Sequence, residues 1–68
     1  MELKFAERLN EIMEERNFSA LKLSKYIDVD CRTISRWRKG EMNPTIDKLN
    51  ILCDFFGVTA DFLLGRED

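Results

Sequence analysis

Sixty-eight residues are enough for one domain around one modest core, which excludes most enzyme folds. Hydrophobic residues at 44% and charged residues at 35% describe a globular chain rather than a disordered one. No apolar run approaches the roughly 20 residues of a membrane span, and the opening MELKFAERL, with two acids against two bases, lacks a basic n-region before an apolar block, so a cytoplasmic location is expected.

One proline, three glycines and little β-branched sequence leave few breaks and little strand material, so the expected class is all-α. Phe5, Leu9, Ile12, Met13 and the aliphatic stem of Arg16 recur at helical spacing and predict a first helix over 4–16. Its other faces carry Glu7, Glu11, Glu14 and Glu15. Asn17 is the stop, and Ser19 caps a second helix over 20–27 with Ala20, Leu23, Ser24 and Ile27 along one face. Asp28-Val29-Asp30 breaks it, because Asp28 tolerates the left-handed conformation a tight turn can require and Asp30 is a good N-cap.

The third helix is expected over 31–39, with Ile34 and Trp37 turned inward and Gly40 at its end. That phase makes Trp37 a core residue. A loop through Glu41-Met42-Asn43-Pro44 leads to Thr45, the cap of a fourth helix whose buried stripe is Ile46, Leu49, Leu52, Cys53 and Phe56. Gly57 closes it, and Thr59 caps a short fifth helix with Phe62, Leu63 and Leu64 ahead of Gly65.

The net charge of −2 speaks against a nucleic-acid partner only until its distribution is considered. Residues 20–39 hold Lys22, Lys25, Arg32, Arg36, Arg38 and Lys39 against Asp28 and Asp30, while both flanking segments are net acidic. The third helix carries four positive charges and no acids. Two short helices about three residues apart, the second of them basic, form an arrangement that enters a DNA major groove. A nine-residue helix is about 14 Å long, a fair match to a groove about 12 Å wide. Val29, Leu23, Ile27, Ile34 and Trp37 would lock the pair into a rigid unit.

SALKLSKYIDVDCRTISRWRKG followed by EMNPTIDKLNILCDFFGVTADFLL resembles the Cro and phage-repressor type of helix-turn-helix regulators, often called the XRE family. The resemblance covers nearly the whole chain. It implies a five-helix, lambda-repressor-like domain, with its helix-turn-helix over about 20–39, that binds double-stranded operator DNA and regulates transcription, commonly as a dimer. Carried over by position, it puts base reading on Cys31, Arg32 and Arg36, with Ser35 nearby, and backbone phosphate contacts on Ser19 and Lys39. Arginine suits both tasks, offering two parallel donors to guanine or a charge-assisted bond to phosphate.

Three departures accompany the resemblance. Ala20 stands where the family usually places a polar phosphate clamp, and Asp28 stands where the turn usually has glycine. Many members also pair an arginine on the first helix with a glutamate on the recognition helix, at places held here by Met13 and Arg38. Arg38 is left to meet Glu11 or Glu14, or to add to the DNA-facing charge.

Two cysteines and no histidine remove most metal-site and acid–base chemistry, so neither enzymatic activity nor a cofactor is expected. Cys31 and Cys53 are expected as thiols, Cys53 as a small core hydrophobe. The fourth helix carries a second apolar pair, Ile51 and Phe55, off its inward stripe, and Phe62 lies off the inward side defined by Leu63. These three residues are the expected surface of a homodimer on DNA. The competing class is a protein-interaction module, such as an antitoxin or an adaptor, favoured by Ala20, Asp28 and the negative net charge. The acid-free helix 31–39 stands against it.

Overall fold

In the computed structural model, which describes residues 4–66, the side chains of Ser19, Asp30, Thr45 and Thr59 accept bonds from the backbone N–H groups of Lys22, Arg32, Lys48 and Phe62. Each cap satisfies a donor the helix itself leaves unpaired, and together they start four of the five helices among the described residues. The elements are α1 (Phe5–Glu15), α2 (Ala20–Tyr26), α3 (Cys31–Lys39), α4 (Ile46–Phe56) and α5 (Ala60–Leu63). Among the described residues there is no strand, so the all-α expectation holds and helix limits fall within about a residue of those expected.

Helix ends are closed by backbone geometry. Asn17 ends α1 with φ of 59°, and the Phe18 N–H reaches back to the Met13 carbonyl at 2.8 Å. Gly40 does the same for α3 at φ of 77°, with the Glu41 N–H bonded to the Arg36 carbonyl at 3.0 Å. Both satisfy carbonyls that a helix terminus leaves open. The left-handed residue expected at Asp28 is absent. Asn17 is the one non-glycine residue with positive φ among those described, so the strain sits after α1 and not in the turn between α2 and α3.

The core is built from Phe5, Leu9, Ile12 and Met13 of α1, Leu23 and Ile27 around α2, Ile34 and Trp37 of α3, Leu52 and Phe56 of α4, and Leu63 of α5. Helix α3 packs on α1 and α2, and α5 packs on α1 and α4. Trp37 is 1% exposed and meets Phe5 edge to face. Val29, in the turn, is also buried, so the turn is anchored to the core that holds both its helices.

Two core expectations change. Ile46 is 78% exposed rather than buried. Steps of three residues fall about 60° short of a full turn, so a stripe centred on Leu52 and Phe56 has rotated away by the time it reaches the first residue of α4. Arg16 is exposed, with its guanidinium 5.7 Å from the centre of the Phe56 ring instead of its stem in the core. An aromatic cluster joins the α1–α2 connection to α4: Phe18 meets Tyr26, Phe55 and Phe56 at centroid distances of 5.5 to 5.9 Å.

Candidate nucleic-acid interface

The connection between α2 and α3 is an inverse γ-turn. The Val29 N–H donates to the Ile27 carbonyl at 2.8 Å across Asp28, a geometry that uses ordinary negative φ and needs no glycine. Lys48 Nζ donates to the Asp28 carbonyl at 3.4 Å, which places a cation of α4 beside the turn acid. Asp30 then caps α3, its carboxylate accepting from the Arg32 N–H at 3.0 Å.

Successive residues of a helix turn by about 100°, so burial of Ile34 and Trp37 fixes the opposite face of α3 as the outer one. Arg32, Arg36 and Lys39 are exposed on that face. Ser35 and Cys31 are half-buried, Ser35 on the flank of the outer face and Cys31 further round, at the N-terminal end. Ser19 is exposed at the start of α2, and because its hydroxyl oxygen accepts the Lys22 N–H at 3.1 Å, its proton is left to donate outward. Helix α3 thus presents three cations and a hydroxyl over little more than two turns. Such a surface can hold phosphate oxygens and read acceptor atoms on base edges.

Arg38 takes neither partner expected of it. Its Nε donates to Asn10 Oδ1 of α1 at 2.5 Å, and Asn10 Nδ2 donates back to the Arg38 carbonyl at 2.9 Å. Glu11 instead accepts from Arg8 at 3.4 Å on the surface of α1. Sequence reading missed Asn10, whose only signal is its place one turn before the fully buried Met13.

Away from α3, Ile51, Phe55 and Phe62 are each half-buried. Phe55 belongs to the aromatic cluster, where it also meets Tyr26 at 5.7 Å, whereas the Arg8 guanidinium lies 5.4 Å from the centre of the Phe62 ring. The two phenylalanines therefore have different neighbours. Tyr26 itself is 61% exposed. Cys31 and Cys53 are free thiols, and desolvation, followed by the neighbouring Asp54 carboxylate, pushes the Cys53 thiol up from its ordinary value. Among the described residues no helix is long and apolar enough to cross a membrane, and no group of acidic, cysteine or histidine side chains could hold a metal ion.

Comparison with known proteins agrees with this arrangement. Residues 8–68 match the model of the Cro/C1-type HTH DNA-binding domain. The chain is 30% identical over 66 residues to the HTH-type transcriptional activator BcrR of Enterococcus faecalis, covering 97% of this chain and 32% of that protein. It is 31% identical over 61 residues to the HTH-type transcriptional regulator AnsR of Bacillus subtilis (strain 168), covering 90% of this chain and 53% of that one. It therefore spans about a third and about half of the lengths of these two relatives. A crystal structure of a transcriptional regulator from Listeria innocua superposes over the whole chain, and over 64% of its own, with a TM-score of 0.90 at 28% identity. The basic outer face of α3, its fixed phase against α1 and α2, and the match over residues 8–68 lead to one statement: the chain belongs to the Cro/C1-type helix-turn-helix DNA-binding domain family.

Proposed function

We propose that the chain acts as one helix-turn-helix domain in the cytoplasm and regulates transcription by binding double-stranded DNA, as a repressor of the phage or prophage type that occupies its operator. The observation that carries this reading is the outer face of α3, where Arg32, Arg36 and Lys39 stand exposed with no acid on the helix. In this reading Arg32 and Arg36 read bases with Cys31 and Ser35, while Ser19 and Lys39 hold backbone phosphates. The domain works as a homodimer on a near-palindromic site, through a surface made of Ile51, Phe55 and Phe62. Two recognition helices then lie about 34 Å apart, one turn of DNA.

Footprinting on DNA from the chain's own genomic neighbourhood tests the reading, together with a salt titration on the protected site. Six to eight phosphates contacted by a dimer give a slope of log K against log salt of roughly −5 to −7. A slope near zero overturns it and favours the protein-interaction class. Activation is a second reading, favoured by one observation: the relative from Enterococcus faecalis is named an activator. A reporter fused downstream of the footprinted site separates the two by the sign of its response when the regulator is removed.

A further inference from the structure

Arg38 is the cation of α3 that the base-reading and phosphate assignments leave unused, and its setting differs from that of its neighbours. It is half-buried, and its Nε is held by Asn10 Oδ1 while Asn10 Nδ2 holds its carbonyl, so both the side chain and the end of α3 are fixed to α1. Among the described residues its terminal nitrogens Nη1 and Nη2 make no hydrogen bond or ion pair and are not sealed from solvent. Ser35, Arg38 and Lys39 together line an open groove on the flank of α3. Among the described residues that line it, the groove offers a hydroxyl and two cations and no carboxylate. An anion with several oxygens is the ligand such a lining fits.

From this the geometry points to a phosphate subsite in the Ser35–Arg38–Lys39 groove, occupied by a backbone phosphate of the bound DNA, with Arg38 as its donor and Asn10 as the residue that positions Arg38. An arginine anchored through Nε keeps its terminal fork oriented outward, so little side-chain freedom remains to be lost when the phosphate arrives. Because Asn10 is neutral, it orients the guanidinium without cancelling its charge. A carboxylate at the same place would hold the guanidinium and cancel its charge, and would give up the bond to the Arg38 carbonyl. The flank of α3 beside α1 also lies next to the outer face that carries Arg32 and Arg36, where the groove wall of a duplex runs.

This inference rests on DNA binding, and the salt dependence of duplex binding separates the two. Each phosphate neutralised contributes about 0.9 to the slope of log K against log salt. Arg38→Gln should reduce the magnitude of the wild-type slope by about 0.9 per bound chain, so that per chain the ratio of wild-type to variant affinity shrinks about threefold between 50 and 200 mM salt. Asn10→Ala keeps the charge and should retain the slope, with affinity lowered several-fold at every salt concentration. Asn10→Asp, which supplies a carboxylate to Arg38, should lose the slope as Arg38→Gln does, and it serves if Arg38→Gln does not fold. Thermal midpoints of all variants establish that folded protein is being measured. A folded Arg38→Gln or Asn10→Asp variant with the wild-type slope reduces the Asn10–Arg38 pair to a structural link and overturns the subsite. Titration with inorganic phosphate at constant ionic strength distinguishes the source of the anion. Saturable shifts of the Ser35 and Lys39 amides, lost in Arg38→Gln while the duplex slope is unchanged, would assign the groove to free phosphate and overturn its assignment to DNA. Wild-type protein that binds no duplex would overturn both readings at once.

Discussion

The rings of Phe5 and Trp37 meet edge to face, with centroids 6.0 Å apart and planes at 79°. The contact joins the first residue of α1 to the inward face of α3, and it sets the rotation of α3 about its axis. With Trp37 held inward, Arg32, Arg36 and Lys39 are carried outward by the helix repeat. The core and the candidate interface are two sides of one helix.

Trp37→Ala should therefore cost about 3 to 5 kcal/mol, because it removes the largest buried side chain and leaves a cavity in a small core. Domains of this size have few kcal/mol in hand, so the variant should be largely unfolded at 37 °C. Denaturant or thermal unfolding followed by circular dichroism checks this. An unchanged midpoint would contradict the inward placement of the indole.

Gly65→Ala should destabilise the domain by about 1 to 3 kcal/mol, for two separate reasons. Gly65 has φ of 75°, and an added Cβ would come within 2.6 Å of the Lys4 Cβ. The same spot carries the bond from the Lys4 N–H to the Leu64 carbonyl at 3.3 Å, which ties the start of α1 to the end of α5. Loss of amide protection at Lys4, together with a lower thermal midpoint, is the expected pattern. A variant of wild-type stability would show that the two ends are not held this closely.

Arg32→Ala and Arg36→Ala should leave the thermal midpoint in place, since both side chains are exposed, and should each relax preference at one base position by about 1 to 3 kcal/mol. Lys39→Ala should instead weaken matched and mismatched duplexes alike. Competition titrations on the two kinds of duplex make the distinction, and equal losses on both for an arginine would assign it to phosphate.

Phe62→Glu should abolish cooperative filling of two half-sites while sparing weak binding to one. Arg8, whose guanidinium now faces the Phe62 ring, can pair with the new carboxylate, and because Phe62 also packs against the core, the thermal midpoint is measured beside the binding assay. Phe55 is a poorer probe, because its ring also packs on Phe18 and Phe56 and its removal would loosen the monomer. Unchanged cooperativity on a two-half-site duplex would rule Phe62 out of the dimer contact.

Capping side chains, glycines and short apolar repeats act within a few residues, and those local rules were enough to give helix order, limits and class from the chain itself. The same locality made Trp37 and Ile34 readable as inward and Arg32, Arg36 and Lys39 as outward, because one short helix has one phase. Ile46 shows where that reading fails: it has the right residue type, but two steps of three residues from Leu52 carry it about 120° round the helix and off the buried stripe, where it is 78% exposed. Asp28 was eligible for a left-handed residue on chemistry alone, but the α2–α3 turn closes through Ile27 and Val29 without one, and the left-handed residue is Asn17, where the Phe18 N–H reaches back to the Met13 carbonyl. Asn10 and Arg38 are 28 positions apart and neither belongs to a motif that names the other. Phe18, likewise, becomes the hub of an aromatic cluster only once α2 and α4 are brought to it. Pairings of this kind depend on how helices cross, and crossing is decided by packing between distant segments, which leaves no periodic trace in any one of them.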